Sequence, residues 1–463
     1  MLTPILAELL STSNVREKFL CGIDRVTIFL VHLISLILCL SCECKKMNKL
    51  ILPEDIELRN SNYLSLAILF FLGLVVVCLD IINIDLGNFK LKIAYIWFLL
   101  YLILFSLSLN LSIKKDNFHI ALIFLFSLLP SVLFSKNIVT SLAFYAGAIV
   151  CVVIMLLFAK MTVLAAPKVI SILFGFYRFS VILTLILVIL GIQERGHFLL
   201  YESSYYAIVL IPYFCMTFYR LFLYGFKTSV PDIALIIIAI ATSQSVSMVG
   251  WCVLSFFCIY IRSGLSRKIH FLLIGVGILL FFTLAYIFNE RANAIISRIF
   301  LLFENPSDSL SLLVFVVGNR LQRIVVGYEA FIQNPLVGVG LGAFREYSAN
   351  NFDPLDFALN GVSASDFTVD TPAANVFIEM AAEGGIIGLV GYIWMLIFIH
   401  RKKNNSKLLA PFKIAFYITM VSLLIEASYL RNYFWALYGI IIGLNSLNSE
   451  TGSRLSFDPT PRK

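Results

Sequence analysis

An all-α polytopic membrane protein of about 12 to 13 spans, with one long external loop between about 289 and 375, is the fold this sequence predicts. Two observations carry that prediction. Of the 463 residues, 60% are hydrophobic and only 13% charged, with a mean hydropathy of +0.94. A water-soluble core cannot hide that much apolar surface, so lipid must solvate much of the chain. Apolar runs of spanning length also recur along almost the whole sequence, interrupted by one long polar stretch.

The runs lie near 26–42, 63–84, 91–112, 118–135, 138–158, 169–192, 204–224, 231–245, 246–262, 268–288, 376–399, 409–428 and 432–447. The pair within 231–262 is short and joined by TSQSVS, so it reads as two tilted helices or one broken one. Short loops rich in Lys and Arg mark the cytoplasmic side: RSGLSRKIH (262–270), HRKKNNSK (400–407), KKDNFH (114–119) and KKMNK (45–49). QERGHFLLYESS (193–204) and residues 289–375 then fall outside. Thirteen spans would also put the N-terminus outside, against the pull of Arg16, Lys18 and Arg25. The chain divides into a transmembrane bundle at 1–288, an external loop with an amphipathic helix at 289–375, a second transmembrane set at 376–448 and a polar tail at 449–463.

Several function classes drop out on the same grounds. The formal charge of +8 fits cytoplasmic loops, and no basic patch is interleaved with polar reading residues, so nucleic acid is not an expected partner. The nine cysteines are scattered and none lies after Cys258, so the external loop can form no disulfide. CEC at 42–44 lacks metal-ligand spacing, and no metal or cofactor is expected. The first apolar run has no A-x-A-like site after it and Lys45 and Lys46 follow, so no cleavable leader is expected. No internal repeat is visible, which counts against a transporter built from duplicated halves.

Within the external loop, NRLQRIVVGYEAFIQNP reads as a helix capped by Asn319 and stopped by Pro335. Arg320 and Arg323 share one face, and Ile324, Tyr328 and Phe331 form an apolar one. The next span begins in DTPAANVFIEMAAEGGIIG, with Thr371 as expected N-cap and Pro372 in the first turn. Asn375, Glu379 and Glu383 recur at i, i+4 and i+8, a polar stripe that should face protein or an aqueous cavity rather than lipid. Gly384, Gly385, Gly388 and Gly391 allow a neighbouring helix to pack closely. Between the two helices lies NPLVGVGLGAF, a GxGxG pattern and not the dinucleotide GxGxxG, with no βαβ unit around it. It reads as a tight connector, the hinge of an external lid. Arg178, midway along a span, is expected to meet a buried acid such as Glu426 or to lie nearer an interface.

GNRLQRIVVGYEAFIQNPLVGVGLGAF (318–344), followed by ANVFIEMAAEGGIIGLVGYIWM (374–395), resembles the external loop and following helix of the O-antigen polymerase and ligase superfamily. Upstream, RGHFLLYESSYYAIVLIPY (195–213) resembles that family's R-x-G-x-F-x-E-P-S pattern, with ESS in place of EPS. The resemblance runs from about 193 to 447. It implies transfer of an oligosaccharide from undecaprenyl diphosphate to a sugar hydroxyl, at the outer face of a bacterial inner membrane. The implied partners are that lipid-linked oligosaccharide, the bilayer and a chain-length regulator protein.

The donor is already activated, so the implied chemistry needs no nucleotide, metal or covalent nucleophile. It needs cations for the diphosphate, and Arg195 and Arg320 are the candidates, with Arg323 beside them. Glu379 is the candidate base, ahead of Glu202, His197 and Asp370. Asn375, Gly338 and Gly340, with His197 and Glu202, complete the candidate substrate-binding set. Each has a plainer reading: the arginines as interfacial anchors, Glu379 as a partner for another helix, His197 as a surface residue. Ligases of the family carry His directly before the Asn matched by Asn375, where this chain has Ala374. A polymerase is therefore the preferred expectation, with a ligase of the same family and a non-enzymatic lipid-oligosaccharide flippase as alternatives.

Overall fold

The computed structural model describes residues 60–80, 83–85, 90–92, 98, 115–262, 319–351, 372–401, 409–425 and 429–450. The chain separates into two compact units, Met1–Tyr63 and Leu64–Lys463, and nearly all described residues belong to the second. The apolar runs expected at 26–42 and 268–288, most of 91–112, and Asp370, Thr371 and Glu426 lie outside the described residues.

Among the described residues the fold is all-α apart from one short ribbon. In chain order the helices are α1 (Asn60–Val77), α2 (Lys115–Leu133), α3 (Ile138–Leu164), α4 (Ala166–Ile189), α5 (Ser203–Val209), α6 (Ile211–Tyr224) and α7 (Phe226–Ser243). Then follow α8 (Val246–Arg262), α9 (Asn319–Gln333), α10 (Phe344–Asn351), α11 (Val376–Arg401), α12 (Ala410–Ser422) and α13 (Asn432–Glu450). Strands β1 (Asn83–Asp85) and β2 (Lys90–Lys92) form an antiparallel pair with Ile84 opposite Leu91.

Among the described residues, four helices are long and apolar enough to cross a membrane, or five if α5 and α6 are taken as one bent span. Local sequence explains many of the ends. Asn137 caps α3, its side-chain oxygen accepting from the Thr140 N–H at 3.2 Å. Proline occupies the first turn of α4, α6 and α12, where a missing N–H costs nothing. Gly225 ends α6 at φ 82°, and Gln244 ends α7 in the left-handed region.

Three expectations need correction. The run at 63–84 is not one helix: α1 stops at Val77, and residues from Asn83 enter the β-ribbon. The run at 204–224 is broken, with a 44° bend between α5 and α6 just ahead of Pro212. The amphipathic helix buries Val326 and Ala330, whereas Tyr328 is 55% exposed. Its inner face is therefore rotated from the Ile324–Tyr328–Phe331 row. Arg178 does meet a buried acid, Asp232: its Nε donates to Oδ1 at 2.7 Å and Nη2 to Oδ2 at 3.0 Å.

That last contact is the centre of a buried cluster. Arg220 Nη1 donates to Asp232 Oδ2 at 3.1 Å, and the Tyr213 hydroxyl donates to Oδ1 at 2.9 Å. Both guanidinium groups also lie over the Phe174 ring. One buried carboxylate thus ties α4, α6 and α7 together, its charge met by two guanidinium groups.

The remaining packing relies on small residues. Gly439 and Gly443 bring α13 onto α3, where an added Cβ at Gly439 would lie 2.2 Å from the Met155 carbonyl oxygen. Gly391 similarly brings α11 against Ser127 of α2. Phe124 sits between Tyr392 and Trp435, joining α2, α11 and α13.

Candidate active site at one end of the bundle

The site is organised by a break in α11. Helical geometry fails at Gly385, whose φ of 62° and ψ of −166° are essentially confined to glycine. A break inside a span frees backbone groups that lipid cannot satisfy. Here the segment after α9 supplies the missing partners. Ile386 N–H donates to the Pro335 carbonyl at 2.8 Å, and Ile387 N–H to Leu336 at 3.4 Å. In return, Val339 N–H donates to the Ala382 carbonyl at 2.8 Å and Gly340 N–H to Glu383 at 3.2 Å. The Ser131 hydroxyl also donates to the Glu383 carbonyl at 2.5 Å.

The alternating glycines follow from this contact. Gly338, Gly340 and Gly342 all have positive φ. A Cβ at Gly338 would fall 2.3 Å from the Glu383 backbone, closer than any side chain tolerates. The stretch is therefore a backbone clasp on α11, not the hinge of a lid. Beyond it, α10 is tied to α3, with Asn137 Nδ2 donating to Glu346 Oε2 at 3.1 Å. The Tyr347 hydroxyl donates to Gln333 Oε1 at 2.8 Å. Burial, and then the nearby Glu329 charge, raise the Tyr347 pKa, which keeps its phenol a neutral donor.

The polar stripe of α11 faces inward. Glu379 and Glu383 are 3% and 2% exposed. The Tyr429 hydroxyl donates to Glu383 Oε2 at 3.3 Å, and the same carboxylate engages the backbone amides of Gly342 and Phe344 and feels the charge of Arg345. Glu379 is close enough to Tyr392 and Tyr429 to act on both electrostatically.

Asn375 has a different task from the one expected. The helix begins at Val376, and Asn375 Oδ1 accepts from the N–H groups of Phe377 and Ile378 at 2.8 and 3.1 Å. It is the N-cap that the sequence pattern assigns to Thr371. Its Nδ2 donates to the Leu424 carbonyl at 3.0 Å, while Val376 N–H donates to Leu423. Pro372 lies before the helix and accepts from Arg323 Nη1 at 3.2 Å. The inner face of α9 is sealed to α11 by Val326, Ala330, Phe344, Ala373 and Ala382.

The structure therefore brings together Arg323, Gly338, Gly340, Asn375, Glu379 and Glu383. Arg320 stands three residues before Arg323 in the first turn of α9. Arg195, His197 and Glu202 belong to a separate loop between α4 and α5. Arg195 and Glu202 are exposed there, and Glu202 Oε2 accepts from the Ser204 hydroxyl at 2.9 Å. His197 is half-buried, and its N–H donates to Gln193 Oε1 at 3.1 Å. Gly196 N–H donates to the Thr242 carbonyl at 2.8 Å, pinning that loop to the end of α7.

Segment 429–435 links the two groups. Tyr429 reaches Glu383, and two residues later Arg431 lies over the Tyr205 ring at 3.7 Å and donates to Asp80 Oδ2 at 3.4 Å. Sequence reasoning missed Glu383 as a site residue, although it is the next member of the stripe after Glu379. It also missed Arg345, which follows directly on the clasp's closing Gly342-Ala343-Phe344. Tyr429 and Arg431 were missed too, and they carry no local signal at all.

Comparison with known families adds a separate line. Residues 232–393, which include α7, α8, α9, the clasp and the broken part of α11, match the family model described as O-antigen ligase. That segment is similar to the O-antigen polymerase and ligase superfamily. No curated protein matches the chain. The family-model match supports the superfamily, whose members are membrane enzymes that transfer glycan units from a lipid-linked glycan.

Proposed function

We propose that this superfamily member polymerises undecaprenyl-diphosphate-linked oligosaccharide repeat units at the outer face of a bacterial inner membrane. Arg320 and Arg323, on the helix sealed to α11, and Arg195, from the neighbouring loop, neutralise charge developing on the diphosphate leaving group. Glu379 takes the proton of the acceptor hydroxyl. The basic loops at the opposite helix ends support an outward-facing site. A chain-length regulator is the expected protein partner.

One observation favours polymerase over ligase. The position before Asn375 is Ala374, 2% exposed, and the Asn375 amide is committed to capping α11 and to Leu424. A ligase-type His–Asn pair has no counterpart there. Ligase is the second reading, favoured by the description of the matching family model.

A deletion strain separates the two. Polymerase predicts that the surface glycolipid still carries a single repeat unit; loss of every capped glycolipid would establish the ligase reading instead. In the complemented strain, Arg195→Ala or Arg320→Ala is expected to abolish long chains at unchanged protein level. Wild-type ladders from both variants would remove the arginines from the mechanism. Glu379→Gln is expected to reduce polymer by about 100-fold, the usual scale for losing a general base. A ladder of normal intensity would rule Glu379 out as that base.

A further inference from the structure

Two guanidinium groups meet one carboxylate where α6 turns into α7, which leaves one positive charge over. Arg178 and Arg220 both bond Asp232, and among the described residues neither bonds a second acid. The Asp232 side chain is 1% exposed, whereas those of Arg178 and Arg220 stay 21% and 17% open. Arg220 lies in the last turn of α6, and its Nη2 donates to the Thr228 carbonyl at 3.4 Å, in the first turn of α7. That turn has no side-chain cap: Gly225 precedes it at φ 82°, so the first N–H groups of an 18-residue helix receive no capping oxygen. Lys227, in the same turn, is exposed. Ser229 is fully buried there, with a hydroxyl that finds no partner among the described residues. Around the corner Leu223, Phe226 and Val230 are exposed, apolar side chains that suit lipid and not water. Phe222 packs on Tyr260, and Phe218 and Phe222 on Phe256, so the ends of α6 and α8 lie side by side. Since α8 ends at Arg262, where the basic RSGLSRKIH begins, the corner stands at the level of a basic membrane face.

We propose that the α6–α7 corner binds the phosphate of an acidic phospholipid in the inner leaflet, with Arg220 and Lys227 meeting its charge and the first N–H groups of α7 its oxygens. A guanidinium that shares its only carboxylate with a second one is costly beside hydrocarbon and takes a phosphate readily. The start of α7 offers N–H donors and partial positive charge to the same anion. The apolar flanks commit that anion to a lipid: acyl chains lie along Leu223, Phe226 and Val230 while the headgroup sits at the turn. A zwitterionic headgroup brings its own cation and leaves the extra charge unbalanced, so a headgroup of net negative charge is preferred. Arg178 stays with Asp232, and the lipid takes only the open side of the cluster. The site lies at the other end of α7 from Thr242, which holds the Arg195 loop, so the inference stands apart from the glycan-transfer reading.

Retention of radiolabelled phosphatidylglycerol by the purified full-length protein in mixed detergent micelles tests this, with phosphatidylcholine as the zwitterionic comparison and inorganic phosphate as competitor. Wild type is expected to prefer phosphatidylglycerol about tenfold or more, the scale for two basic residues facing an anionic headgroup. Lys227→Gln should lower the affinity for phosphatidylglycerol about fivefold and leave that for phosphatidylcholine unchanged. Arg220→Gln should lower it further, and raised salt should bring wild type toward the variants. Equal retention of the two lipids by wild type, or wild-type retention by both variants, overturns the proposal. Displacement of phosphatidylglycerol by millimolar inorganic phosphate would assign the corner to a free anion and overturn the lipid reading. Should Arg220→Gln melt early, Lys227→Gln, a change at an exposed side chain, decides: an undiminished preference for phosphatidylglycerol overturns the proposal.

Discussion

Gly385→Ala is expected to abolish product and lower the melting temperature of the purified protein, whereas Gly384→Ala leaves both unchanged. The two residues are adjacent on α11 and chemically identical, so composition cannot separate them. Gly385 has φ 62° and ψ −166°, a region that costs any other residue roughly 1–3 kcal/mol. Its added Cβ would also sit 2.3 Å from the Leu336 carbonyl oxygen, which is backbone and cannot rotate away. Relief requires the clasp to lift, leaving the Ile386 and Ile387 N–H groups and the Ala382 and Glu383 carbonyls without these partners. At Gly384 the nearest atoms, in Leu128 and Met380, are 3.8 Å from an added Cβ, an ordinary contact. Melting curves in detergent and chain-length ladders in cells read the two outcomes. Equal behaviour of the variants would mean that the break in α11 is not what the clasp maintains.

Asp232→Ala is expected to remove most folded protein from the membrane. Asp232 is fully buried and faces Arg178 and Arg220, so its loss leaves two guanidinium groups without their carboxylate. Breaking a buried ion pair from one side costs about 3–5 kcal/mol, a large share of the stability of most domains. The double change Arg178→Met with Asp232→Leu should recover much of the loss, since one charge goes with each partner and only Arg220 remains. Size-exclusion profiles of the solubilised protein report the folded fraction. A double variant as poorly folded as Asp232→Ala would show that the charges themselves are not the source of the cost.

Much of the architecture is legible in the residue pattern. Spanning runs are long and apolar, and the α9 sequence carries its own stop at Pro335, which the helix respects by ending at Gln333. The inward direction of Glu379 and Glu383 also follows from period and solvent, because a carboxylate cannot face lipid. The site is legible in part: Arg323, Gly338, Gly340, Asn375 and Glu379 do fall on one assembly.

The corrections fall where two local signals are equally good or where none exists. Thr371 and Asn375 are both sound caps, and the role goes to Asn375, whose amide also reaches the Leu424 carbonyl. Arg178 has several acids to choose from, and Asp232 lies on a helix packed against its own. The alternating glycines plainly require positive φ or close approach, but nothing within the stretch says against what.

Helix length, capping and facing are set by forces acting within a turn or two, so the chain order alone carries them. The clasp joins Ser131, Gly340 and Glu383, and a second cluster joins Asp80, Tyr205 and Arg431, residues far apart in sequence. Those pairings depend on which helices pack side by side, because a backbone hydrogen bond or an ion pair forms only when packing brings both partners within about 3 Å.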